Sequence, residues 1–336
     1  MAISMRVNNL INRSWLVVLQ LQLVIFLSLF GNAQATQSYS PNDVFSGVEY
    51  ANALVDRMLA KNKVTDIKVP VSRETAAKPM HVYELHASAL AELYTYAIKN
   101  KRRPPPLAVS TPIKYTPTDV YYLTEIVMSN LEDIYRDTGG VIDFSMKPTR
   151  GKSPAAVYQE LFELYYKLNL MNGKAKVSPS EVYAHIYRAK EDMQLSLLTM
   201  SKRLDESQEA KKRQLVTAIY GMHPDGSVMT PIEQGKKPGD VMTKAIAVRE
   251  KLNVLRKSNN LPEITMPKMS EFKAVKPIDI FLQTQFVIAE LNLLKIPMKI
   301  QSTTNSAKAT SEKTPSDVLQ EMKHIEYMLD RLIQVL

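Results

Sequence analysis

The sequence predicts an all-α chain: an irregular array of about eight amphipathic helices, one per repeat of ~38 residues, joined by long proline-containing extended linkers, with one extra charged helix near 197–220. Three observations predict it. A proline-led phrase recurs along the chain, an apolar ladder follows each copy, and prolines or polar runs fill the stretches between copies.

The phrase is Pro-x-(acid)-Val-(aromatic). It begins at Pro41 (PNDVF), Pro79 (PMHVY), Pro117 (PTDVY), Pro154 (PAAVY), Pro179 (PSEVY), Pro238 (PGDVM), Pro277 (PIDIF) and Pro315 (PSDVL). The intervals are 38, 38, 37, 25, 59, 39 and 38 residues. Its chemistry is that of a helix start. Proline suits the first helical position, where no N–H is needed. Ser40, Thr116, Ser153, Ser178 and Thr314 precede it as N-caps. An acid two residues on (Asp43, Asp119, Glu181, Asp240, Asp279, Asp317) can close a capping box and oppose the positive helix end. His81 and Ala156 break the acidic rule, and Lys78, Lys237 and Lys276 replace the capping hydroxyl, so those three starts are expected to be weaker.

Counted from the proline, position +3 is Val or Ile in all eight copies. Position +10 is Ala51, Ala89, Val127, Leu164, Ala189, Val248, Val287 and Ile325; position +14 is Val55, Leu93, Leu131, Leu168, Met193, Leu252, Leu291 and Leu329. Position +17 is apolar or aromatic except at Ser196. That spacing marks one face of a helix of about 20 residues, about 30 Å long. Linkers such as the one holding Pro104, Pro105, Pro106 and Pro112 cannot be helical. About 15 extended residues can span some 50 Å, so successive helices can lie parallel or antiparallel. The middle breaks the rhythm, and 197–220 reads as an inserted helix with a Glu209–Arg213 pair. The organisation expected is a signal segment over 1–35, an N-terminal lobe over 36–196, a connector over 197–237 and a C-terminal lobe over 238–336. The unit length resembles that of tetratricopeptide arrays, but their Trp-Leu-Gly-Tyr signature is missing.

Residues 1–35 read as an export signal: Arg6 and Arg13, an apolar run over 15–30, then Ala33-Gln34-Ala35 as a cleavage site. Cleavage after Ala35 implies a periplasmic or secreted chain with no stable membrane span. It lowers the net charge from +9 to +7, too little to suggest nucleic acid for an exported protein. With no Cys, thiolate catalysis, disulfides and Cys-ligated metals are excluded. His81, His86, His185, His223 and His324 are scattered, and Ser270-Glu-Phe-Lys273 sits in a linker, so no catalytic residue, cofactor or metal is expected. No concentrated polar cluster is visible. The function expected is therefore that of a non-enzymatic scaffold or adaptor for another envelope or secreted protein; the alternative is a sensory or carrier module holding a small ligand or envelope glycan between lobes. The aromatics after the Val read chiefly as core. If one face binds a partner, Tyr83, Tyr121, Tyr122, Tyr158, Tyr183 and Tyr187 are the candidates.

Overall fold

A computed structural model describes residues 38–336 except 175, 224, 226, 228–231 and 309. The expected export segment lies outside the described residues. Among the described residues there are nine helices and no sheet: α1 (Pro41–Lys61), α2 (Pro79–Lys99), α3 (Pro117–Asp137), α4 (Pro154–Met171), α5 (Pro179–Ser201), α6 (Glu209–Ile219), α7 (Pro238–Ser258), α8 (Pro277–Leu294) and α9 (Pro315–Val335).

Every proline phrase opens a helix at its proline. At α3, Thr116 Oγ1 accepts the Asp119 N–H at 3.3 Å, and Asp119 Oδ2 accepts the Thr116 N–H at 2.7 Å. The lysine-capped starts lose the hydroxyl half of this exchange but keep the other. The backbone N–H groups of Lys78, Lys237 and Lys276 donate at 2.8 Å to His81 Nδ1, Asp240 Oδ2 and Asp279 Oδ2. His81 thus replaces the acid with a nitrogen acceptor. Asp119→Ala should cost about 1 kcal/mol, read as a shift in urea midpoint; an unchanged midpoint would mean the phrase does not hold the helix start.

The ladder is buried throughout. All eight side chains at +3, all eight at +10 and all eight at +14 lie in the core. Together with +7 and +17 they step four, three, four, three, the heptad rhythm of helices packed along their lengths. In the first set, α1 packs on α3 and α4, and α2 packs on the same two helices, so the ring order is α1–α3–α2–α4. The second set repeats it as α5–α8–α7–α9, with α6 leaning on α5 and α9. The proline-opened units α1 and α2, α3 and α4, α5 and α7, and α8 and α9 therefore lie across the diagonals, whereas α2 and α3, and α7 and α8, are ring neighbours.

The helices within each ring are parallel. Pro41, Pro79, Pro117 and Pro154, with Val44, Val82, Val120 and Val157, surround one shallow apolar dimple. Pro179, Pro238, Pro277 and Pro315 do the same with Val182, Val241, Ile280 and Val318. The linkers serve as return strands. At the opposite end, Lys61 Nζ reaches the Thr138 carbonyl, and Lys99 Nζ reaches that of Asn172 at 3.3 Å. Four aligned helix dipoles repel; acids at the starts and cations at the ends reduce that cost. Leu131→Ala, at the +14 level of the first ring, should cost about 2–5 kcal/mol by the same denaturation measurement. Close approach of α1 to α3 requires Gly47: a Cβ there would lie 2.6 Å from Thr124 Cγ2.

The division into lobes differs from the one expected. α5 belongs with the later helices, so the break falls in linker 172–178 rather than over 197–237. The reason is length. Seven extended residues reach about 23 Å, too little to return along α4 and re-enter the first ring as a parallel fifth helix. The chain instead starts α5 near the end of α4 and runs the other way. The inserted helix is also shorter than 197–220: Leu197 is buried as part of α5, and a 3-10 turn at Glu206–Gln208 precedes α6. Glu209 lies 3.9 Å from Lys212 and does not form the expected pair with Arg213.

Candidate functional site: the seam between the two bundles

α2 and α8 form the centre of the seam. α8 (PIDIFLQTQFVIAELNLL) carries apolar residues on every side, and α2 carries the small residues Ala87, Ser88, Ala89 and Ala91. A helix apolar all round has no solvent face and must be enclosed. The two run antiparallel: His81 near the start of α2 meets Glu290 near the end of α8 at 2.7 Å, and Ser88 donates to Gln285 at 3.0 Å. Two bundles with internally aligned dipoles thus pack head to tail, which offsets their dipole repulsion.

Enclosure at this seam captures charge. Arg188 of α5 donates from Nη2 to Glu84 Oε2 of α2 at 3.0 Å and to Ser110 Oγ at 3.3 Å. Glu84 is fully buried and Arg188 is 6% exposed. Arg249 of α7 pairs with Glu74 from the linker before α2, at 2.8 Å. Glu290 takes His81 on one oxygen and Arg256 on the other. Burial alone would raise the Glu290 carboxyl, but His81 and Arg256 outweigh it and hold the pKa below the usual carboxylate value. Because His81 Nδ1 accepts the Lys78 N–H, its proton sits on Nε2 and points at Glu290. Asp192 and Lys295 pair within the second bundle, joined by Thr304. Burial pushes the Asp192 carboxyl up and the Lys295 amine down, and their mutual contact opposes both shifts. The expectation of no concentrated polar cluster is therefore overturned. Helices with unremarkable patterns, brought antiparallel, set their few buried charges opposite one another.

Two further histidines are shifted toward the neutral form. His185 accepts from Gln285 Nε2 at 3.1 Å, and burial, with Arg188 and Lys174 nearby, lowers its pKa to about 3. His86 lies in the first core, held between the Val82 carbonyl and Thr124 Oγ1, each at 3.0 Å; burial lowers it to about 4.

Two clefts open along the seam on either side of linker 295–314. One, of about 420 Å³, is lined by Arg188, Asp192, Leu195 and Leu198 of α5, Ile219 of α6 and linker residues 303–306. The other, of about 540 Å³, is lined by Thr95, Tyr165, Ser178, Ser180, His185 and Thr310, with Lys174 bridging Glu92 and Glu181 at 2.8 and 2.9 Å.

The six candidate tyrosines do not form one ladder. Tyr121 is buried and stacks on Tyr39 at 3.8 Å, with exposed Tyr122 edge-on to the same ring. Tyr83 stacks on Tyr115 at 4.0 Å. Tyr158 is wholly enclosed beside Phe286, and its hydroxyl has no partner. Tyr183 and Tyr187 lie 5.8 Å apart, under Lys313 and Lys190. The structure thus brings together Tyr121 with Tyr122, and Tyr183 with Tyr187, and leaves Tyr83 and Tyr158 apart from both. Basic side chains also act at helix ends: Arg102 pairs with Asp137, and Lys211 reaches the Val335 carbonyl at 2.9 Å. Ser270 is exposed on a 3-10 turn. Among the described residues no three His, Asp or Glu side chains are placed to hold a metal ion, and no helix is long and apolar enough to cross a membrane.

No protein-family model, no curated protein and no solved structure matches the chain.

Proposed function

We propose that the chain is an exported, non-enzymatic binding protein, a scaffold or adaptor for another envelope or secreted protein, with 1–35 as its export signal. The observation that carries this reading is the cleft walled by Leu195 and Leu198, which are 47% and 39% exposed. Apolar side chains left open beside polar ones on a rigid frame are what a protein contact uses. The ion pairs across the seam supply the rigidity. Proximity crosslinking in the native host tests it: a reproducible partner, lost when Leu195 and Leu198 are both replaced by aspartate, is the expected result. A purified chain that captures no envelope protein but turns over a substrate would overturn it.

The larger cleft favours a second reading, a carrier or sensor for a small ligand or envelope glycan between the bundles. Its Ser and Thr hydroxyls, His185 and the Lys174 bridge between Glu92 and Glu181 offer the mixed donors and acceptors that a polyhydroxyl ligand uses. A thermal-shift screen with metabolites and envelope glycans separates the two readings, since a bound ligand raises the melting temperature by mass action and a scaffold gives no response.

A further inference from the structure

We infer that the outer edge of linker residues 303–305 takes up an extended peptide as an added strand, with aliphatic side chains of the peptide resting on Leu195, Leu198 and Ile219. This rests on the scaffold reading and narrows the partner to an extended segment of polypeptide.

The linker before α9 is pinned on its inner edge. Ser110 N donates to the Thr304 carbonyl at 3.1 Å, and Thr304 N donates back to the Ser110 carbonyl at 2.9 Å, an isolated antiparallel bridge. Such a pair uses both backbone groups of Thr304. Backbone groups of successive residues in an extended chain face alternate edges, so those of Thr303 and Asn305 face away from Ser110. Among the described residues, the N–H and C=O groups of Thr303 and Asn305 form no hydrogen bond, and both residues are exposed along the smaller cleft. An open strand edge is a template for another chain. In strand addition the main chain supplies affinity, and pockets for alternate side chains supply selection. That pocket is present here. Leu195 and Leu198, three residues apart on α5, share a helix face, and Ile219 flanks them.

Arg188 lines this cleft but is only 6% exposed and is committed through Nη2 to Glu84 and Ser110, so it helps to fix the floor and is not a contact for the peptide. The rim carries one acid and one base, Glu191 and Lys308. Recognition therefore rests on backbone pairing and aliphatic side chains, with no preference for peptide charge.

The test is fluorescence anisotropy of the full-length chain with a labelled six-residue peptide pool in which Thr alternates with Val, Leu or Ile. A matched pool N-methylated at alternate amides, which cannot pair as a strand, serves as the comparison. Saturable binding is expected, weakened at least about tenfold by N-methylation, by Asn305→Pro and by Leu195→Asp with Leu198→Asp. The substituted residues are exposed, so circular dichroism should be unchanged; Tyr122→Ala should bind as the unaltered chain does. Equal binding of both pools, indifference to Asn305→Pro, or no saturation by about 1 mM overturns the inference. If crosslinked partner capture survives while the peptide fails to bind, the strand pairing falls and the scaffold reading stands. If the peptide binds but no partner is captured in the host, the scaffold reading falls and the strand pairing stands.

Discussion

Replacing Glu84 by alanine should destabilise the chain by about 3–5 kcal/mol, more than any single exposed change. Glu84 is wholly enclosed and accepts from Arg188 Nη2 at 3.0 Å, with Ser110 donating to its other oxygen. Removing the carboxylate leaves a guanidinium that is 6% exposed, without its counter-charge and unable to reach water. The loss is therefore mainly the desolvation of an unpaired cation, and the attraction given up is the smaller part. A second variant makes that distinction measurable. Glu84→Leu combined with Arg188→Leu removes both charges together, and should cost less than either single change, because apolar replacement of a buried pair is often close to neutral. Urea denaturation of the three variants gives the cycle. A single-variant loss below about 1 kcal/mol, the size typical of exposed pairs, would mean that the seam is open to solvent and the two bundles do not enclose these charges.

The same pair marks the limit of what the sequence makes legible. Helix starts are local: Thr116, Pro117 and Asp119 lie within four residues and carry their own hydrogen bonds, so the phrase is readable without tertiary context. The ladder is equally local, and every +3, +10 and +14 residue named from spacing alone is buried. Ring order, helix direction and the seam depend on which helices meet, and periodicity does not encode that. Glu84, Arg188, Glu74 and Arg249 look like ordinary surface charges until α2 is set against the second bundle. One signal was nonetheless present. α8 has no polar face, so Glu290 within it requires partners from other helices, and His81 on α2 and Arg256 on α7 supply them. The short interval between Pro154 and Pro179 was a second: a linker too short to return along a helix forces the chain out of its first ring. The tyrosines misled because a common position after the Val does not give common surroundings. Each ring places that position against different neighbours, so Tyr158 is sealed in while Tyr183 reaches Glu321 at 3.1 Å.

Acid should weaken the fold well before its carboxylates protonate, and histidine is the reason. His86, buried, and His185, half-buried at the second cleft, are held as neutral rings, with pKa values lowered from 6.5 to about 4 and about 3. As the pH falls below 6.5, the unfolded chain takes up protons on these rings while the native chain does not. Stability therefore drops with falling pH, from about 6.5 down to the native values near 4 and 3, each histidine contributing about 2 kcal/mol of loss between pH 6.5 and 5. His324, lowered chiefly by burial, acts in the same direction. Asp43 and Asp317 have pKa values lowered by hydrogen bonds from Ser40 and Thr314. Their stabilisation is complete above the unfolded carboxyl value of about 3.9 and is lost only below it, so they cannot account for a decline that begins near 6.5. The urea midpoint should thus fall steadily between pH 7 and 5, and His86→Leu should flatten the slope by about a third. Imidazole resonances give the direct check: those of His86 and His185 should stay fixed from pH 8 to 5. Titration of either near 6.5 would place that ring in water and remove it as a source of the acid sensitivity.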